Sequence, residues 1–194
     1  ETKNHFSVRF QEEFRSKKPI GIYWLQSFLV KNISVLEQED NGKFKILDNH
    51  IWKYRLVSAI ASLLSILIFF YLSNKIFSRK IAYISSLILS CTLIFVTESH
   101  IAKTDSALLT CSITIMLILA GYYLGYFKNN NIVAFLIFWI FTSISILLKG
   151  PIILINIVLC LLFIYIIEKD IKWIRNSSPV IGLAITSTLI IPIF

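Results

Sequence analysis

Three clusters of polar and charged residues could carry chemistry, and each adjoins a long apolar run. They are residues 15–19 (RSKKP), residues 98–105 (ESHIAKTD) and residues 149–151 (KGP). Lysine and arginine bind phosphate, and a carboxylate can accept a proton from a hydroxyl group. Ionisable groups at the edge of a membrane bundle indicate a functional site by default. The clusters therefore predict an anion-binding site at one face of a membrane.

In the first cluster, Lys18 precedes Pro19, a residue favoured in the first turn of a helix. Helix N-termini attract anions, so a lysine at this position is well placed to bind a phosphate. The alternative for Lys18 is a simple contact with lipid headgroups at the membrane surface.

Asp105 is the candidate catalytic residue of the second cluster. Its alternative role is to cap the helix that begins at Ser106, because Asp is a strong capping residue. Glu98 and His100 are either site residues or ordinary loop residues and partners of Lys103. Lys149, in the third cluster, is either part of the site or an interfacial anchor. The Lys-Gly-Pro sequence predicts a sharp turn between two helices.

The composition indicates which elements must position these residues. The chain has 194 residues, of which 56% are hydrophobic and only 15% charged, and its mean hydropathy is +0.74. A soluble domain has about 25% charged residues. The net charge of +8 is gathered between apolar runs, which is not the basic face of a nucleic-acid binder. These values argue against a soluble globule, a disordered chain and a disulfide scaffold.

Six largely uncharged segments are each close to the length that spans a bilayer, about 20 residues. They are residues 56–74, 81–97, 106–127, 129–148, 150–167 and 176–194. Backbone groups in lipid must be paired within a segment, so these runs predict helices, and the short gaps predict antiparallel hairpins. The fold class is therefore an all-α integral membrane protein with about six transmembrane helices.

The chain divides into residues 1–55 and a transmembrane bundle, residues 56–194. In the first part, residues 20–30 are free of charge, and apolar residues recur every three or four positions over residues 22–36, which predicts a helix lying on the membrane surface. Loops after the first, third and fifth spans carry seven Lys and Arg, whereas the other two loops carry two. The positive-inside rule then places residues 1–55 and all three clusters outside the cytoplasm.

Other signatures are absent from the sequence. The three cysteines lie within apolar spans without paired spacing, and packing is their expected role. There is no glycine-rich phosphate loop and no metal-spaced His/Cys cluster. The chain starts at Glu1 and ends within an apolar run, so we interpret it as a piece of a longer membrane protein.

Four segments together resemble a known family. Residues 15–26 (RSKKPIGIYWLQ) resemble its Lys-Pro-Pro-Leu-x-Tyr-Trp-Leu element, and residues 54–59 (YRLVSA) its Arg-x-Pro-Ser-Ala element. Residues 100–105 resemble a periplasmic loop with an Asp before a helix, and residues 147–151 a Lys-Gly-Pro turn. The family comprises polyprenyl-phosphate-dependent glycosyltransferases related to the protein O-mannosyltransferases, including 4-amino-4-deoxy-L-arabinose transferases that act on lipid A.

The resemblance implies a C-type glycosyltransferase fold, with a periplasmic interfacial helix and an active site facing the periplasm of a bacterial inner membrane. It implies transfer of a sugar from a polyprenyl-phosphate donor to lipid A, another glycan or a protein. Asp105 would assist a main carboxylate upstream of Glu1, and this chain alone would be inactive. The implied substrate-binding residues are Arg15, Lys18, Tyr23, His100, Lys103 and Lys149.

The partners implied are membrane lipid, the donor and its acceptor, without nucleic acid. No cofactor or metal ligand is assigned. The family often has an acidic residue where this chain has Lys17, so metal dependence stays open. Two other classes remain as alternatives: a transporter, which would need ionisable residues deep within its spans, and a membrane subunit without catalysis.

Overall fold

The computed structural model describes residues 9–10, 13–14, 21, 24–25, 51–127, 131–169, 173–174 and 178–190. Seven helices account for most of this part of the chain. They are α1 (Ile51–Ile76), α2 (Arg79–Cys91), α3 (Leu93–Ser99), α4 (Asp105–Tyr123), α5 (Ile132–Lys149), α6 (Ile152–Glu168) and α7 (Pro179–Ile190). A short antiparallel pair, β1 (Arg9–Phe10) and β2 (Glu13–Phe14), precedes them and was not expected from the sequence.

Each of the six predicted spans corresponds to one helix or, for the second span, to the pair α2 and α3, which confirms the all-α membrane class. Within the described residues, three helices are long and apolar enough to cross a bilayer: Tyr54–Ile76 of α1, α4 and α5. The α2–α3 pair makes a fourth if its two helices form one span. The apolar helices α6 and α7 are shorter, so the expected six crossings are three or four by length. Helix α1 also begins before the predicted span, at Ile51.

The predicted span over residues 81–97 is broken into two helices at Thr92. Helices α2 and α3 meet there at 63°, and Thr92 has an extended backbone with φ −66° and ψ 125°. The hydroxyl of Ser90 donates to the carbonyl of Leu87, and that of Thr92 donates to the carbonyl of Ile88. Such side-chain bonds to the preceding turn compete with the helix ladder and bend helices.

Small polar residues hold α1 against α4. Ser65 Oγ and Thr110 Oγ1 are 2.8 Å apart, and Thr110 Oγ1 also lies 2.9 Å from the carbonyl oxygen of Ala61. Both polar residues are buried. Small side chains allow close approach of helix backbones in a membrane, and their hydroxyl groups bond across the interface.

Helices α5 and α7 pack through Trp139 and Gly182. Trp139 lies in the middle of a span and is buried. A Cβ atom on Gly182 would lie 1.7 Å from Trp139 Cε2, so only glycine accommodates this indole. The other faces of the bundle carry exposed large apolar side chains, among them Leu63, Ile88 and Phe163, which suits contact with lipid.

Candidate functional site

Asp105 and Lys149 form an ion pair at one end of the bundle. Asp105 is the first residue of α4 and Lys149 is the last residue of α5, so the antiparallel packing of these two helices brings them together. An acidic residue in a first turn and a basic residue in a last turn both complement the helix dipole. The side chains are 36% and 42% exposed, respectively, so the pair is reachable from outside the bundle.

The turn after Lys149 has the shape that its sequence predicts. Gly150 has φ 77° and ψ −163°, a backbone region that is essentially restricted to glycine. Its N–H donates to the carbonyl of Ile146 at 2.8 Å, and Pro151 then caps the start of α6. The turn thereby stops α5 at Lys149 and fixes the lysine beside Asp105.

A groove of about 200 Å³ runs from Asp105 into the bundle between α4 and α6. Its walls are mostly apolar and include Leu108, Leu109 and Ile153, with the polar groups of Ser112 and Asn156 further along. We call this the α4–α6 groove. An apolar trough with a carboxylate at its mouth can hold an amphiphile whose polar end reaches Asp105. Asn156 and Ser112 were not singled out from the sequence, because both are ordinary polar residues within apolar spans.

The loop between α3 and α4 is fastened on both sides. Lys103 Nζ lies 3.1 Å from Glu98 Oε1, which confirms Glu98 as the partner of Lys103. Ser58 Oγ donates to the carbonyl of Lys103 at 3.1 Å, and Ser106 Oγ donates to the carbonyl of Glu98 at 3.0 Å. The hydrogen bonds from Ser58 on α1 and Ser106 on α4 hold the loop that leads to Asp105.

His100 lies in a different place from the Asp105–Lys149 pair. Its Nδ1 is 2.8 Å from the carbonyl oxygen of Val96 and 3.0 Å from Ser99 Oγ. With Arg55 it lines a second groove, of about 420 Å³, between α1 and the bent α2–α3 pair. We call this the α1–α3 groove, and it shares no lining residue with the α4–α6 groove. The structure therefore places His100 in a different groove from Asp105, although the sequence analysis grouped His100 with Asp105 and Lys149.

The first cluster, residues 15–19, lies outside the described residues, but the nearby Gly21 is described. The expected positions Arg15, Lys18 and Tyr23, and most of the interfacial helix over residues 20–36, lie outside the described residues. Gly21 has helical backbone conformation and is buried, and a Cβ atom there would lie 2.7 Å from the carbonyl oxygen of Leu147. Gly21 therefore packs against the last turn of α5, which ends at Lys149.

No three His, Cys, Asp or Glu residues in the described part of the chain could hold a metal ion together. The three cysteines there are free, and only Cys111 is fully buried.

The chain is a membrane protein of apolar helices with charged residues at the helix ends, and it has the C-type glycosyltransferase fold. Residues 41–194 match the family described as dolichyl-phosphate-mannose-protein mannosyltransferase, and the chain belongs to that family. No curated protein sequence matches it.

Two solved structures of ArnT from Cupriavidus metallidurans share this fold. The apo state covers 100% of this chain with a TM-score of 0.81 at 17% sequence identity. The structure bound to undecaprenyl phosphate covers 98% of the chain, with the same TM-score and identity. The chain spans about a third of the length of these structures, 34% and 33% respectively.

Proposed function

We propose that this chain is part of a membrane glycosyltransferase that moves a sugar from a polyprenyl-phosphate donor to a lipid, glycan or protein acceptor. The observation that carries the proposal is the Asp105–Lys149 pair at the mouth of the α4–α6 groove. Membership of the mannosyltransferase family supports the reaction class, and the ArnT complex with undecaprenyl phosphate supports the class of donor.

In the proposed reaction an acceptor oxygen attacks the anomeric carbon of the donor sugar. The bond between that carbon and the phosphate oxygen breaks, and the polyprenyl phosphate departs with the bonding electron pair. The proton of the acceptor hydroxyl must pass to a base, and the departing phosphate must be met by positive charge. Both tasks require charged groups at the membrane interface, where the polar end of the donor resides.

We assign these tasks to the residues that the sequence predicts for the site. Asp105 orients the acceptor or receives its proton in support of a further carboxylate, and Lys149 holds Asp105 in position. Arg15, Lys18 and Tyr23, which lie outside the described residues, are assigned to the phosphate of the donor, and Lys103 to positive charge near it. His100 lines the other groove and has no role in this assignment. The packing of Gly21 on Leu147 supports this assignment, because Gly21 follows Lys18 by three positions. The proposal assigns no cofactor and no metal ligand to the described residues.

The location of the charged residues favours this proposal over a transporter. Asp, Glu, Lys and Arg residues of the described helices lie at the helix ends, as Arg55, Lys75, Asp105, Lys149 and Glu168 do. A transporter or proton pathway would place ionisable groups deep within its spans. If the protein were a membrane subunit without catalysis, the position of an exposed ion pair at the mouth of an apolar groove would have no function.

We further propose that the Asp105 end of the bundle faces the periplasm of a bacterial inner membrane. The support is the seven-to-two distribution of basic residues between the loops. Cysteines introduced at positions 99 and 130 test it with a membrane-impermeant maleimide in intact spheroplasts. Labelling at position 99 alone is expected, and labelling at position 130 alone would reverse the topology.

The transfer proposal is tested with full-length protein in detergent micelles and a panel of undecaprenyl-phosphate sugars. Release of undecaprenyl phosphate is measured, because every donor of this class yields that product. We expect release from at least one donor only when a lipid A, glycan or peptide acceptor is present. Binding of undecaprenyl phosphate without release from any donor and acceptor combination would contradict the enzyme assignment.

A further inference from the structure

The α1–α3 groove has features that the glycosyl-transfer proposal does not use. Its mouth carries Arg55, near the start of α1, and His100, at the end of α3, and both side chains are exposed. Its floor is apolar and includes Leu63, Ile66 and Phe95. The groove exists because α2 and α3 bend by 63° at Thr92, which sets α3 at an angle to the preceding helix.

The dimensions of the groove match one leaflet of a bilayer. Its lining residues on α1 run from Arg55 to Ile66, and eleven helical steps of 1.5 Å correspond to about 16 Å. Half of the hydrocarbon core of a bilayer is about 15 Å thick. A lipid with its phosphate at Arg55 could therefore extend one acyl chain along the groove to Ile66 without leaving its leaflet.

Ser62 supplies a second, independent observation. This side chain lines the groove and is 5% exposed, and its Oγ has no hydrogen-bond partner among the described residues. A buried hydroxyl without a partner is costly in an apolar setting. The ester carbonyl of a glycerophospholipid lies on the membrane side of its phosphate and would accept a hydrogen bond from this hydroxyl. A polyprenyl chain has no polar group at that depth.

We propose that the α1–α3 groove binds an anionic glycerophospholipid, with Arg55 on the phosphate, Ser62 on an ester carbonyl and an acyl chain against Leu63, Ile66 and Phe95. His100 lies at the same mouth, where its Nδ1–H donates to the carbonyl of Val96. The site is distinct from the α4–α6 groove, so this proposal does not depend on glycosyl transfer. Its occupant is a structural lipid rather than a substrate.

The test measures phosphatidylglycerol retained by the purified full-length protein. The protein is incubated with micelles containing phosphatidylglycerol or phosphatidylcholine, washed in detergent, and the bound lipid is quantified by mass spectrometry. We expect phosphatidylglycerol to bind more tightly than phosphatidylcholine. Arg55→Gln should lower the affinity for phosphatidylglycerol roughly tenfold or more, because hydrogen bonds between charged groups are stronger than those between neutral groups. Ser62→Ala should lower it by about twofold to tenfold.

Two further variants make the outcome decisive. Ala59→Phe fills the groove without altering a charge and should also expel the lipid, which protects the test against a misfolded Arg55 variant. Arg79→Gln removes a basic residue at the start of α2, outside the groove, and should leave lipid binding unchanged. The proposal is overturned if Arg55→Gln and Ala59→Phe retain phosphatidylglycerol at the wild-type level. Equal binding of phosphatidylcholine, or competitive displacement by undecaprenyl phosphate, would overturn it as well.

Discussion

The two ends of the bundle differ in their side-chain contacts. At one end, the ion pairs Asp105–Lys149 and Glu98–Lys103 stand at loops and at the mouth of a groove. At the other end, aromatic rings close the bundle: Tyr122 meets Phe127 with ring centroids 5.6 Å apart, and Tyr123 meets Trp173 at 5.4 Å. We call these the ionic end and the aromatic end.

Both ends contain a carboxylate at a helix terminus, which makes the comparison instructive. Asp105 pairs with a lysine beside a groove, whereas Glu168 accepts a hydrogen bond from the Tyr123 hydroxyl among aromatic rings. A carboxylate beside a groove can meet a bound substrate, whereas Glu168 is exposed and lines neither of the two grooves. A charged residue at a helix end is therefore a candidate site residue when a groove lies next to it.

The largest expected difference between the two ends is in activity. Asp105→Asn should reduce the rate of polyprenyl phosphate release by about a hundredfold or more, since a positioned acid or base contributes roughly 10²–10⁴. The side chain keeps its size, so thermal stability in detergent should change little. Glu168→Gln is the matched control at the aromatic end and should keep the wild-type rate. Full activity of a folded Asp105→Asn protein would assign Asp105 to helix stability alone.

The next effect concerns the stability of the aromatic end. Gly121 receives hydrogen bonds from the N–H groups of Tyr126 and Phe127, and a Cβ atom there would lie 2.3 Å from Phe127 Cε2. Gly121→Ala should therefore lower the free energy of unfolding by about 1–3 kcal/mol through overpacking. Titration with a denaturing detergent measures the loss.

Gly125 provides the control for that substitution. It has φ 70° and open space around its Cα, so Asn, which tolerates this backbone region, should fit with a change of about 0.5 kcal/mol or less. A stable Gly121→Ala protein would show that the aromatic end is loosely packed. The rate of transfer per folded molecule should be unchanged in both variants.

How far the sequence predicts this arrangement differs between the two ends. Apolar runs predict the spans, and the Lys-Gly-Pro sequence predicts the turn that fixes Lys149 near Asp105. The break at Thr92 was not predicted, because hydropathy does not detect hydrogen bonds from side-chain hydroxyl groups to carbonyl groups of the preceding helical turn. The separation of His100 from Asp105 was missed for a related reason. A separation of five positions in the sequence does not show which of two grooves a loop side chain lines.

The aromatic end could not be predicted in detail. Tyr122, Tyr123 and Phe127 appear in the sequence as apolar residues of a span. The ring contact of Tyr123 depends on the position of Trp173, far along the chain. Gly121 gives no signal either, because its role comes from the close approach of Phe127. Contacts of this kind come from tertiary packing, and hydrophobic periodicity identifies only the helices that make them.

One lysine at each end of the bundle allows a further comparison, in which smaller effects on stability and transfer rate are expected. Lys149 pairs with Asp105 at the ionic end, and Lys75 Nζ lies 4.4 Å from the ring centroid of Tyr71 near the other end of α1. Exposed contacts of both kinds contribute little to stability, so Lys149→Met and Lys75→Met should destabilise the protein to a similar, small extent. Only Lys149→Met should lower the transfer rate. Equal rates for the two variants would remove Lys149 from the site.

The smallest expected effect tests how the ionic end is held in place. Thr110 on α4 bonds across the interface to Ser65 and to the carbonyl of Ala61 on α1, whereas Thr114 Oγ1 bonds to the carbonyl of Thr110 in its own helix. Thr110→Val should therefore destabilise the protein more than Thr114→Val, although both change one buried hydroxyl to a methyl group.

A double-mutant cycle of Ser65→Ala with Thr110→Val isolates the bond between α1 and α4. Interhelical hydrogen bonds in membranes average about 0.6 kcal/mol, so the expected coupling energy is of that order. Unfolding in denaturing detergent supplies the four free energies. A coupling energy near zero would mean that backbone packing alone joins the helices. In that case the fastening of the 99–104 loop by Ser58 and Ser106 would remain as the means by which the rest of the bundle positions Asp105.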